Sequence, residues 1–72
     1  MLGLLLAAAI ATHELKADAP WYANPVQAAP ANGVLEKGTR VRVVHRQGSY
    51  CEIESPVHGY VQTAKLRRLK KH

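Results

Sequence analysis

The sequence predicts an all-β fold: a small, partly open barrel of five to six short strands, preceded by a hydrophobic leader. Three observations carry this reading. Apolar and polar residues alternate in Arg40–Arg46 (RVRVVHR) and again in Tyr50–Glu54 (YCEIE), the period of half-buried strands. Gly, Pro, Asn and Ser punctuate the chain between these short runs, as in small barrels. The densest apolar run, Met1–Ala11 (MLGLLLAAAIA), lies outside the alternating region.

That first run has no charged or polar side chain. It is shorter than the roughly 20 residues a spanning helix needs and has the length of a signal-peptide core. Small residues before a cut occur twice: Ala9-Ile10-Ala11 ahead of Thr12, and Ala17-Asp18-Ala19 ahead of Pro20. No Lys or Arg precedes the run. The expectation is therefore export, periplasmic or extracellular. An uncleaved interfacial anchor and a helix packed on the domain are the alternatives. His13–Ala19 (HELKADA) reads as a polar linker ended by Pro20, because a residue before proline is pushed off the helical region. The expected division is leader and linker over residues 1–19, a barrel over 20–69, and a basic tail over 70–72.

Within the barrel region, Trp21-Tyr22-Ala23 is the first strand candidate, and Asn24–Gly33 (NPVQAAPANG) is a loop. Val34-Leu35 resumes extended structure, and Glu36–Thr39 is a turn in which Gly38 supplies a positive φ. In Arg40–Arg46, Val41 and Val43 share the inner face and Arg40 and Arg42 the outer one. Gln47-Gly48-Ser49 is a hairpin connection. In the next strand Cys51 and Ile53 face inward, with Tyr50, Glu52 and Glu54 outward. Ser55–Gly59 is a turn, Tyr60–Gln62 a strand, Thr63–Leu66 a single helical turn and Arg67–Leu69 a last strand.

Composition narrows the function. The chain has 72 residues, one Cys, and a net charge of +5 from ten Lys and Arg against five acids. A chain of this length forms one small domain at most and leaves no room for a catalytic domain with a walled cleft. A single cysteine cannot form an intrachain disulfide or anchor a zinc site. His13, His45, His58 and His72 sit at no ligand spacing to one another, so no metal and no cofactor is expected. Cys51 as a nucleophile needs a base. Inward parity brings His45 toward it, but no orienting third group accompanies the pair. The plainer reading makes Cys51 a small core residue.

Several segments, taken in order, resemble one family. Val34–Val44 (VLEKGTRVRVV) is similar to its core pattern of a hydrophobic pair, Lys-Gly-Thr and an alternating Val strand. Gly48–Ile53 (GSYCEI) resembles its Gly-Gly-Trp strand. Gly59-Tyr60-Val61 with Leu66 resembles its Gly-Trp-Val ending, and Tyr22–Pro25 its opening. Together these resemble the bacterial SH3-like domains of the SH3b type, over about Trp21–Leu69. Tyr stands at positions 50 and 60 where that family usually has Trp, and its Asn-Val-Arg opening is absent. The resemblance implies a half-open barrel, export, and a non-catalytic role as a binding or targeting module of the cell envelope.

The candidate ligand-binding residues are Tyr22, Arg40, Arg42, Tyr50 and Tyr60, since exposed aromatics and cations offer a platform for a peptide or sugar face. The candidate anion-binding residues are Lys65, Arg67, Arg68, Lys70 and Lys71, crowded into the tail KLRRLKKH. A tail this basic attracts anionic surfaces or polyanions. Peptidoglycan or an envelope protein is the expected partner. Nucleic acid binding by a basic barrel and a structural role in an envelope assembly are the alternatives.

Overall fold

The computed structural model describes residues 10–25 and 30–70. The leader residues 1–9, part of the Asn24–Gly33 loop, Lys71 and His72 lie outside the described residues. Seven strands are present, more than the five to six expected: β1 (His13–Leu15), β2 (Ala19–Tyr22), β3 (Gly33–Leu35), β4 (Arg40–Gln47), β5 (Tyr50–Ser55), β6 (Gly59–Gln62) and β7 (Leu66–Arg68). A 3-10 turn, Thr63–Lys65, links β6 to β7. All seven strands form one antiparallel sheet in the order β3-β2-β6-β5-β4-β1-β7, and the sheet does not close on itself.

The strands follow from the alternation. Val41, Cys51, Ile53 and Val61 are all buried, while Arg40, Glu54 and the other residues of opposite parity stay at the surface. Glycines set the two tightest turns. Gly48 has φ +63 between β4 and β5, with Ser49 at negative φ. That places glycine first in a two-residue loop, the type II′ arrangement whose twist suits a hairpin. Gly38 has φ +88, and the Thr39 amide donates to the Glu36 carbonyl at 3.0 Å. This is a type II turn, which requires a residue such as glycine at its third position. The Asp18 carboxylate holds it from outside by accepting from the Lys37 amide at 2.7 Å.

The strand that was not expected lies in the linker. His13–Leu15 is a strand inserted between β4 and β7, with Glu14 opposite both Arg40 and Arg67. Leu15 and Ala19 are fully buried. Three residues carry too short a pattern for alternation to register, and the polar side chains of His13 and Glu14 disguise the one buried leucine. Backbone bonds complete the insertion: the Leu15 amide donates to Thr39 and its carbonyl accepts from Gly38, at 2.9 and 2.8 Å. The Thr12 and Leu69 amides extend it, donating to Val41 and to Thr12 respectively.

One face of the sheet holds the core: Leu15, Ala19, Val41, Cys51, Ile53, Val61 and Leu66, with Trp21, Leu35, Val43 and Val57 packed against it. Ala19 belongs to β2 and Leu66 to β7, five positions apart in the sheet order. In a flat sheet five positions amount to about 24 Å, so a shared cluster requires the sheet to curl around its own core. Two irregularities in the β4–β5 pairing assist. The register slips between Arg42 and Val43 and between Val43 and His45, leaving Glu54 and Val44 as the extra residues, and bulges of this kind bend a strand. Trp21 closes one end of the core. A Cβ on Gly59 would sit 2.6 Å from the Trp21 ring and 2.7 Å from the Tyr22 carbonyl, so β6 reaches the indole only because it has no side chain there.

Two outcomes are expected. A chain starting at Thr12 keeps every strand and folds, with a cooperative urea transition followed by circular dichroism. A chain starting at Pro20 loses β1 and leaves β7 unpaired, and shows no such transition. Within the intact chain, Leu15→Ala costs about 2–5 kcal/mol, the usual range for a buried leucine. That is a large share of the roughly 5–15 kcal/mol available to a native domain. An unchanged urea midpoint would contradict the role given to Leu15.

Candidate functional site

Strand pairing brings the three tyrosines together. Tyr22 on β2 lies opposite Tyr60 on β6, and Tyr60 lies opposite Glu52 on β5. Directly opposed residues share a face, and this is the face away from the core. Tyr50, two residues before Glu52, is on that face too. Its ring meets the ring of Tyr22 edge to face, with centroids 5.9 Å apart at 90°, a favoured aromatic geometry. All three tyrosines are half-buried, so each ring has one side packed and one side toward solvent. Trp21 takes the opposite parity and packs on the core.

Around the tyrosines the charges are arranged in pairs. Glu52 accepts from His58 Nε2 at 2.9 Å, and Arg42 Nε donates to Glu54 at 2.7 Å. The Arg42 guanidinium also donates to the Ile10 carbonyl at 3.2 Å. Arg42 therefore borders the tyrosine face as one half of an ion pair. Arg40 does not join this group. It lies opposite Glu14 and lines a groove with Glu14, Arg67, Arg68, Leu69 and Lys70. The five residues expected to bind one ligand thus divide, with Arg40 grouped among the C-terminal cations.

The C-terminal cations are placed by β7. Arg67 faces outward and donates to Glu14 at 2.7 Å. Arg68 has the other parity and lies opposite His13. Lys70 follows at the end of the groove, and Lys65 sits in the 3-10 turn. The tail therefore divides: Arg67, Arg68 and Lys70 line the groove, while Lys65 lies apart in the 3-10 turn.

The expected approach of His45 to Cys51 is overturned by the β4 bulge. Beyond Val44 the register pairs His45 with Glu52 and Arg46 with Cys51. Cys51 is buried, with Sγ 3.3 Å from the Thr63 hydroxyl. That hydroxyl donates to the Gly48 carbonyl at 3.3 Å. Among the described residues no group of three or more His, Cys, Asp or Glu side chains stands close enough to hold a metal ion.

Sequence reasoning missed a cleft of about 520 Å³ at the open end of the curled sheet. β4 pairs with β1 only at Arg40 and Val41, then runs on alone along that side. The space beyond is walled by Val43–Arg46 on one side and by Thr12, His13, Thr63 and Arg68 on the other, over a floor of Cys51 and Leu66. Thr12 ties the walls together. Its hydroxyl accepts from the Val43 amide at 2.9 Å and lies 2.7 Å from His13 Nδ1. In a neutral ring protonated at Nε2, that hydroxyl donates to Nδ1. Partial burial, and then the positive charge of Arg68, hold the His13 imidazole below its ordinary pKa.

The lowered His13 value has a consequence for stability. The unfolded chain, with an ordinary imidazole, takes up a proton that the folded chain resists. Stability on this account is complete above about pH 6.5 and declines as pH falls through that value toward the folded pKa. Urea midpoints measured across that range decline with acid in the natural chain. In His13→Gln the decline is shallower, and an identical profile would count against the assignment.

Comparison with known proteins finds no matching family model, no matching curated protein and no matching solved structure.

Proposed function

We propose that this chain is an exported, non-catalytic binding module of the bacterial SH3-like kind, acting in the cell envelope on peptidoglycan or on a protein partner. The observation that carries the proposal is the tyrosine face. Tyr22, Tyr50 and Tyr60, far apart in sequence, share one side of the adjacent strands β2, β6 and β5. Aromatic rings with a packed side and a wet side bind peptide backbones and sugar faces, because they offer rigid apolar area beside a hydroxyl. Glu52 and Glu54 on the same face are each held by a neighbour, His58 and Arg42.

The fold also bears on export. A cut after Ala9-Ile10-Ala11 frees Thr12, whose nitrogen already donates to the Val41 carbonyl. The sheet is left whole. A cut before Pro20 would remove β1 with Leu15 and Ala19 from the core. The fold therefore supports the first of the two cleavage points. Among the described residues no helix is long and apolar enough to cross a membrane.

A second reading has its own observation. Arg40, Arg67, Arg68 and Lys70 surround a groove of about 380 Å³ whose only carboxylate among the described residues is Glu14. Such a groove suits a nucleic-acid backbone. The two readings separate in one experiment. The protein is expected to sediment with purified peptidoglycan, and Tyr22→Ala and Tyr60→Ala each to weaken retention about 30-fold. That corresponds to the roughly 2 kcal/mol of a binding hot spot. Urea midpoints of the variants show that each is folded. No retention on the wall, with binding to duplex DNA or RNA that weakens steeply as salt rises, would favour the second reading.

A further inference from the structure

The cleft at the open end of the sheet has a chemical character that neither reading uses. Three of its lining residues, His13, Arg46 and Arg68, are cationic or can become so, and no Asp or Glu lines it. Elsewhere among the described residues Arg42 pairs with Glu54 and Arg67 with Glu14, and His58 is hydrogen-bonded to Glu52. Arg46 and Arg68 have no ion pair among the described residues. They come from strands that do not touch one another in the sheet, so the curl alone brings them to one opening. Two guanidinium forks across a cleft suit an oxyanion, which each can bind through two parallel hydrogen bonds.

The remaining lining sets the size and kind of ligand. The volume, about 520 Å³, falls within the range of small-molecule pockets and exceeds what a bare ion fills. Val43, Val44 and Leu66 supply apolar wall and floor beside the cations. Thr12 fixes the imidazole of His13 at Nδ1, which leaves Nε2 as the ring's remaining hydrogen-bonding atom. Arg68 lies opposite His13 on β1, and the Glu14 carboxylate is occupied by Arg67.

We propose that this cleft is a binding site for a small organic oxyanion, a carboxylate or phosphate on a short apolar stem, held between Arg46 and Arg68. Neither wall binding nor the tyrosine face is needed for it. The test is a titration of isotope-labelled protein with sodium propionate and, separately, with inorganic phosphate, read by amide chemical shifts at constant ionic strength. Saturable shifts are expected at Thr12, His13, Arg46 and Thr63. Arg46→Gln and Arg68→Gln are each expected to weaken binding at least tenfold, while Lys37→Gln, in the turn before β4, leaves it unchanged. Tighter binding of propionate identifies carboxylate ligands, and tighter binding of phosphate identifies phosphorylated ones. Shifts that stay linear in both anions, or that Lys37→Gln reduces as much as Arg46→Gln does, would overturn the proposal. Arg46 is exposed, so its variant keeps the test valid if Arg68→Gln does not fold. Peptidoglycan sedimentation of Arg46→Gln is expected to match that of the natural chain, which keeps the two sites experimentally apart.

Discussion

The structure depends on a strand of three residues. β1 is the sole partner of β7 and lies between it and β4. Its central contribution is Leu15, fully buried and bonded through both backbone groups to the turn before β4. In a domain this small each buried leucine is a sizeable part of the core. Remove β1 and the last strand has no hydrogen-bonding neighbour, the core loses its leucine, and the C-terminal cations lose the frame that orders them. The segment that fixes the fold is also the one that sequence composition assigns to a linker.

The same insertion organises the charge. Glu14 sits between Arg40 and Arg67, and Glu52 and Glu54 take His58 and Arg42. Each of these pairs is exposed enough to add little to stability. Their effect is on the distribution of the field. Three of the five acids are spent on the outer face, so the excess positive charge is left at the rim: Arg40 and Lys70 in the groove, Arg46 and Arg68 at the cleft. A net charge of +5 is a modest number, and Arg40, Arg46, Arg68 and Lys70 among the residues behind it line these two openings.

Much of the fold was legible because strands advertise themselves by alternation. β4 and β5 were read to within a residue of their ends, as were the hairpin at Gly48 and the turn at Gly38, since length and turn residues agreed with period. β1 was not legible: three residues give no period, and Pro20 looked like the start of the domain. The grouping of the tyrosines was only half legible. Parity put Tyr50 outward, but that Tyr22 would lie across from Tyr60 follows from β2 pairing with β6, a contact between distant segments that no local pattern specifies. Arg40 and Arg42 have the same parity, yet Arg42 belongs with Glu54 and Arg40 with Glu14, because neighbouring strands differ along the length of β4. The cleft had no sequence signal, since it exists only where β4 outruns β1.

A single residue decides the chemistry of that cleft. After a first slip at Glu54, Val43 faces Ile53. Had the step continued, Val44 would oppose Glu52, and His45 would oppose Cys51, the pairing that strict alternation predicts. The bulge at Val44 inserts one unpaired residue and reverses every side chain after it. His45 moves across to Glu52 and Arg46 takes the place beside Cys51. An imidazole opposite a thiol, the beginnings of a nucleophilic pair, is exchanged for an arginine opposite a buried thiol held by Thr63. The curvature that lets seven short strands enclose a core is thus the same feature that makes the open end an anion-attracting site.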